Sequence, residues 1–132
     1  MIMRISFRAV LFSLFLVPLT PHTAWSDTLK PAIGKPAPQI MAPDIYGKAF
    51  NLADQKGKIV VLEWTNHECP FVKKHYDSKN MQTTQAHALE KGVVWVSIVS
   101  SAPGKQGAVD AARADQILKE QGAHVTTKIL DP

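Results

Sequence analysis

The sequence of 132 residues predicts an α/β fold with a mainly parallel central sheet flanked by helices. Three observations lead there. Two nearly continuous apolar runs, residues 59–64 and 93–99, are rich in β-branched side chains, as in strands covered on both faces. Stretches with helical spacing follow each run, and a third strand candidate lies at 126–130. Strand–helix–strand–helix–strand order requires crossovers, which are right-handed and make neighbouring strands parallel.

The elements follow in order. Residues 27–43 contain Pro31, Pro36, Pro38 and Pro43, which suit an extended lead-in rather than a helix. Residues 45–48 read as a turn joining short strands at 39–42 and 49–52, and residues 55–58 read as a second turn before the first core strand. Pro70 suits the first position of a helix, where its missing N–H would be unpaired anyway. That helix is expected from Pro70 to about Asp77, with Phe71, Val72 and Tyr76 as its apolar residues. After a kink at 78–80, a second helix is expected over 81–91, with Met81, Ala88 and Leu89 on its apolar side and Gly92 at its end. Residues 101–107 form a loop rich in breakers. Asp110 then caps a helix reaching Gln121, whose inner face is Ala114, Ile117, Leu118 and Gln121. Trp64 and Trp95 are expected to fill the core.

Composition narrows the function classes. A chain that is 45% hydrophobic and 20% charged is an ordinary globular domain of single-domain length. The 15 basic side chains fall to 13 when Arg4 and Arg8 are set aside with a leader, against 11 acidic ones. That balance, with no basic stripe, excludes a nucleic-acid partner.

Residues 1–26 read as a signal peptide. Arg4 and Arg8 precede an apolar run over 9–17, and Ala24 and Ser26 stand at the small-residue positions of a cleavage site. The run is shorter than the ~20 residues that span a bilayer. Cleavage after Ser26 leaves 27–132 as the mature domain, placed in the periplasm or secreted. No stable membrane insertion is expected after cleavage.

Within this chain there is one cysteine, Cys69, so no internal disulfide can form. It follows the first core strand, at the sheet edge where reaction sites in such folds gather. That placement favours a functional thiol over a buried hydrophobe. The thiolate is the reactive form, and a helix start offers free N–H groups and the positive end of the dipole. Lys73 lies one turn on and is the candidate for electrostatic support, whereas Glu63 and Glu68 would oppose the thiolate if close. His67, Cys69 and His75 offer donors for copper or zinc, but the spacing is not a common chelating one. His87 and His124 read as ordinary surface or partly buried residues. Glu63 and Glu68 are not a catalytic pair, since nothing sets them across a substrate. There is no phosphate-cradling glycine pattern, and no cofactor is expected.

The segment 61–76, centred on His67-Glu68-Cys69-Pro70-Phe71-Val72-Lys73-Lys74, resembles the redoxin branch of the alkyl hydroperoxide reductase and thiol-specific antioxidant family, within the thioredoxin-like superfamily. Residues 34–38, 57–61 and 100–107 resemble its leading segment, first core strand and a loop of close relatives. The resemblance implies a thioredoxin-like fold, Cys69 as the reactive thiol, and thiol-dependent reduction of peroxides or disulfides with an external thiol as reductant. Three departures stand beside it. Val72 occupies the place of the second thioredoxin cysteine. Leu62 and Asn66 replace the Pro and Thr that precede a peroxiredoxin cysteine. The chain stops at Pro132, where the family's cis-proline loop, hairpin and last helix should begin, so the domain 27–132 reads as incomplete at its C-terminus. The alternatives are a thioredoxin-like binding module without catalysis, and copper or zinc handling.

Overall fold

A computed structural model describes residues 31–131. The leader 1–26, its cleavage point after Ser26 and the start of the domain at residue 27 lie outside the described residues. The elements are β1 (Met41–Pro43), β2 (Ala49–Asn51), a 3-10 turn (Leu52–Gln55), β3 (Val60–Trp64), α1 (Pro70–Asp77), α2 (Asn80–Glu90), β4 (Val94–Val99), α3 (Ala111–Gln121) and β5 (Thr127–Leu130).

β1 and β2 form an antiparallel hairpin, while β3, β4 and β5 form a parallel sheet in that order. Both crossovers step the same way across the sheet, so right-handed connections carry all three helices to one face. On that face Glu63 of β3 accepts hydrogen bonds from Tyr76 of α1 and Gln85 of α2. Lys128 of β5 shares a small enclosed space there with Ile117 and Gln121 of α3. The opposite face is covered by the hairpin. Val94, Val96, Ile98 and Ile129 pack there with Phe50, and Ile40, Ala42 and Leu52 complete the layer. The hairpin also docks on the outer edge of β5 through Ile45 N to Lys128 O at 3.0 Å.

β4 alone behaves as a strand buried throughout. The same expectation for residues 59–64 is corrected: β3 is partly buried, Ile59 is exposed and Trp64 is 59% exposed. β4 has a partner on each side, whereas β3 has one among the described residues. Trp64 therefore leaves the core and rests its indole N–H on Ser100 Oγ at 3.1 Å; Trp95 is the buried one. Phe71, assigned to an apolar helix face, is exposed too.

α2 departs most from its apolar reading. Its fully inward positions are Gln82 and Gln85, and Met81, Ala88 and Leu89 are only half-buried. The polar inward face exists because the sheet beneath it is polar. Glu63, Ser97 and Lys128 stand in one cross-strand row. The helix ends follow their signals: Asp110 Oδ1 caps α3 through Arg113 N at 2.7 Å, and Gly122 ends it in the left-handed region. The junction of α1 and α2 breaks the rule, since Lys79 holds φ +62° where glycine is the ordinary choice.

Candidate active site at the start of helix α1

β3 delivers the chain to the sheet's carboxyl edge, where Thr65 N bonds Ile98 O at 2.9 Å. Residues 66–69 then turn sharply into α1. Cys69 is the N-cap residue, with extended backbone (φ −68°, ψ 125°), and Pro70 is the first helical residue. The thiol is half-buried and makes no side-chain cap bond. Lys73 sits one turn on, its backbone N–H bonded to Cys69 O at 2.9 Å.

The turn is held from two sides. Cys69 N bonds Asn66 O at 3.0 Å, and Glu68 N donates to Asn66 Oδ1 at 2.9 Å. Asn66 Nδ2 reaches across to Gln106 O at 3.2 Å, and Gly107 N donates to the Glu68 carboxylate. The cysteine turn and the 101–107 loop are thus clamped together by Asn66 and Glu68. Gly107 permits this approach. Its φ is +82°, and a Cβ built there would lie 2.4 Å from the Asn66 side chain.

Beneath the helices lies a second polar cluster. Glu63 accepts from Tyr76 Oη at 3.0 Å, Gln85 Nε2 at 3.1 Å and Trp95 Nε1 at 2.7 Å. Burial pushes the Tyr76 hydroxyl far above its ordinary pKa, and the Glu63 carboxylate adds to the effect, so Tyr76 remains a donor. Burial lowers the Lys128 pKa, with Glu63 partly opposing the fall. Lys128 Nζ donates to Ser97 Oγ at 3.2 Å.

The two carboxylates singled out in the sequence therefore have separate structural tasks. Glu68 ties down a loop, and Glu63 collects buried donors. His75 pairs with Asn80 at 3.1 Å. Among the described residues no group of three His, Cys, Asp or Glu side chains is placed to hold a metal ion. Asn66 and Gly107 drew no attention as site residues in the sequence, although the glycine-bearing loop was a visible signal. Gln82 and Gln85 carried no such signal, because glutamine is an ordinary residue on a solvated helix face.

The profile of the AhpC/TSA family matches residues 33–126. The chain belongs to the AhpC/TSA family. No curated protein matches it. Among solved structures, this AhpC/TSA chain is similar to a secreted disulfide oxidoreductase from Mycobacterium tuberculosis. Identity is 22% and TM-score 0.54, over 70% of this chain and 60% of that one. It is similar also to a thiol:disulfide interchange protein of the thioredoxin family from Chlorobium tepidum. There identity is 22% and TM-score 0.55, over 76% and 63% of the two chains. An uncharacterized conserved protein from Geobacillus kaustophilus gives 23% identity and a TM-score of 0.63, over 74% and 51%. These neighbours establish a thioredoxin-like fold. The AhpC/TSA chain spans between half and just under two-thirds of their lengths. No described helix is long and apolar enough to cross a membrane.

Proposed function

We propose that this AhpC/TSA member is an exported thiol-dependent oxidoreductase whose reactive group is the Cys69 thiolate. The observation that carries the reading is the position of Cys69, at the N-cap of α1 and the carboxyl edge of the parallel sheet. Free N–H groups of the first turn and the helix dipole favour an anion there. Lys73, one turn along, adds positive charge on the same flank. The thiolate attacks a peroxide oxygen, breaking the O–O bond to give a sulfenic acid and an alkoxide that takes a proton from water. With a disulfide it forms a mixed disulfide and expels the other sulfur as thiolate. Val72 stands where a resolving cysteine would, so a thiol from outside these residues must restore Cys69.

The test is a reaction of the purified chain with hydrogen peroxide and with a neutral aromatic disulfide, followed by mass spectrometry with a sulfenic-acid trap. Cys69 is expected to react with at least one of them about tenfold faster than free cysteine at neutral pH. Rates equal to free cysteine with both oxidants reject the reading, and Cys69→Ser supplies the blank.

Export follows from the leader-like segment 1–26. N-terminal sequencing of the chain from an osmotic-shock fraction is expected to begin at Asp27. Recovery of only the unprocessed chain, inside the cytoplasm, sinks it.

A further inference from the structure

We propose that two copies of this chain associate through the open edge of β3, joining their three-stranded sheets into one continuous sheet about a two-fold axis at Leu62. The inference stands apart from any chemistry at Cys69.

Among the described residues β3 has a sheet neighbour on one side alone. On that side Ile59 O accepts from Val94 N and Thr65 N donates to Ile98 O, each at 2.9 Å. Hydrogen-bonding direction alternates along a strand, so residues 60, 62 and 64 turn their N–H and C=O groups the other way. No described turn, loop or cap bond engages those groups.

Sheets guard such an edge with lysine, proline, a bulge or a covering segment. The far edge of this sheet is guarded, because the hairpin closes on β5 through the Asp44–Ile129 bridge and the Ile45 N to Lys128 O bond. Strand Val60–Trp64 contains no proline and no basic residue. Its one charge, Glu63, is turned inward to Tyr76 and Gln85. Apolar surface flanks the edge instead, with Ile59 71% and Trp64 59% exposed.

The strand's own pattern selects a second copy as the occupant. Antiparallel pairing of β3 with itself, Leu62 opposite Leu62, sets Val60 opposite Trp64 at both ends. Every free N–H and C=O of residues 60, 62 and 64 then finds its complement. A slip of two residues leaves some of them unpaired, and a slip of one turns bonded groups toward free ones. Val60 and Leu62 pack on the hairpin side, and alternation puts Trp64 on that side too. Pairing therefore lays each indole against the partner's Val60, an aromatic–β-branched contact that stabilises paired strands. No like charges meet, since each Glu63 stands opposite Val61. With the far edge capped, growth stops at two copies.

Sedimentation equilibrium of the purified chain, with Cys69 kept reduced, is expected to show the average mass rising with concentration and levelling at two copies. Trp64→Lys alters a side chain that is exposed in the single copy. It should leave the Tm of dilute chain unchanged and weaken association about tenfold. The register is read by cross-linking in a Cys69→Ser background with diamide as oxidant. Leu62→Cys should join two copies, because directly opposed Cα atoms lie ~5.5 Å apart, within disulfide reach. Val60→Cys should not, because its two copies lie roughly 14 Å apart. A single copy at every concentration, growth beyond two copies, association indifferent to Trp64→Lys, or equal cross-linking at 60 and 62 overturns the proposal.

Discussion

Replacing Glu63 with leucine is expected to destabilise the chain by about 3–5 kcal/mol, a large part of the ~5–15 kcal/mol that holds a domain of this size. The carboxylate accepts from Tyr76, Gln85 and Trp95, three side chains of which each is buried. Leucine matches its bulk but accepts nothing, so buried donors on α1, α2 and β4 lose their partner. Lys128 also loses the negative charge that partly offsets its burial. Glu63→Gln retains one acceptor oxygen and should cost less, about 1.5–3 kcal/mol. Adding Lys128→Met to Glu63→Leu should recover part of the loss, since an unpaired buried charge is removed with its partner.

The pH dependence has a definite sign. With Glu63 gone, the folded Lys128 pKa falls further below that of the unfolded chain. The unfolded state then binds the extra proton, so the variant gains stability as pH rises from neutral toward the ordinary lysine range. Wild type should show a shallower climb. Urea denaturation across pH checks both statements, and a Glu63→Leu variant within about 1 kcal/mol of wild type contradicts the account.

Gly107→Ala is the second large effect, expected at about 2–4 kcal/mol. Part of it is conformational, because φ is +82°. The rest is a collision, since the new methyl would lie 2.4 Å from Asn66 Cγ and Oδ1. Asn66 cannot swing aside freely, as its amide bonds Glu68 N and Gln106 O at once. Gly104 provides the control within the same loop. Its φ is +74°, but nothing lies within 4 Å of a Cβ there. Gly104→Ala should therefore cost only the backbone part, about 1 kcal/mol. Gly107→Ala should also slow Cys69 oxidation, because Asn66 O holds Cys69 N. Equal costs at the two glycines would show that the loops are not in the contact described.

Much of this was legible in order along the chain. Helix starts and stops depend on a few neighbouring residues, so Pro70, Asp110 and Gly122 marked α1 and α3 to within a residue. The apolar run at 93–99 marked β4, since β-branched residues covered on both faces leave no polar alternation. The same logic misjudged residues 59–64, because a strand's burial depends on how many neighbours it has, and the chain does not state that locally. Gln82 and Gln85 were invisible for a related reason. A glutamine faces inward only when the opposing surface offers it partners, here Tyr76, Glu63 and the backbone of Gln121 and His124.

By itself, then, the sequence determined the kinds and order of the elements and the lone thiol at a helix start, because both rest on short-range stereochemistry. Only the tertiary structure decided the rest. It brought Gly107 against Asn66 across some forty positions of chain, set Glu63, Ser97 and Lys128 in one row, and faced α1 with α3 across a charged cleft. Those contacts follow from strand register and crossover hand, which belong to the assembled sheet and to no single segment.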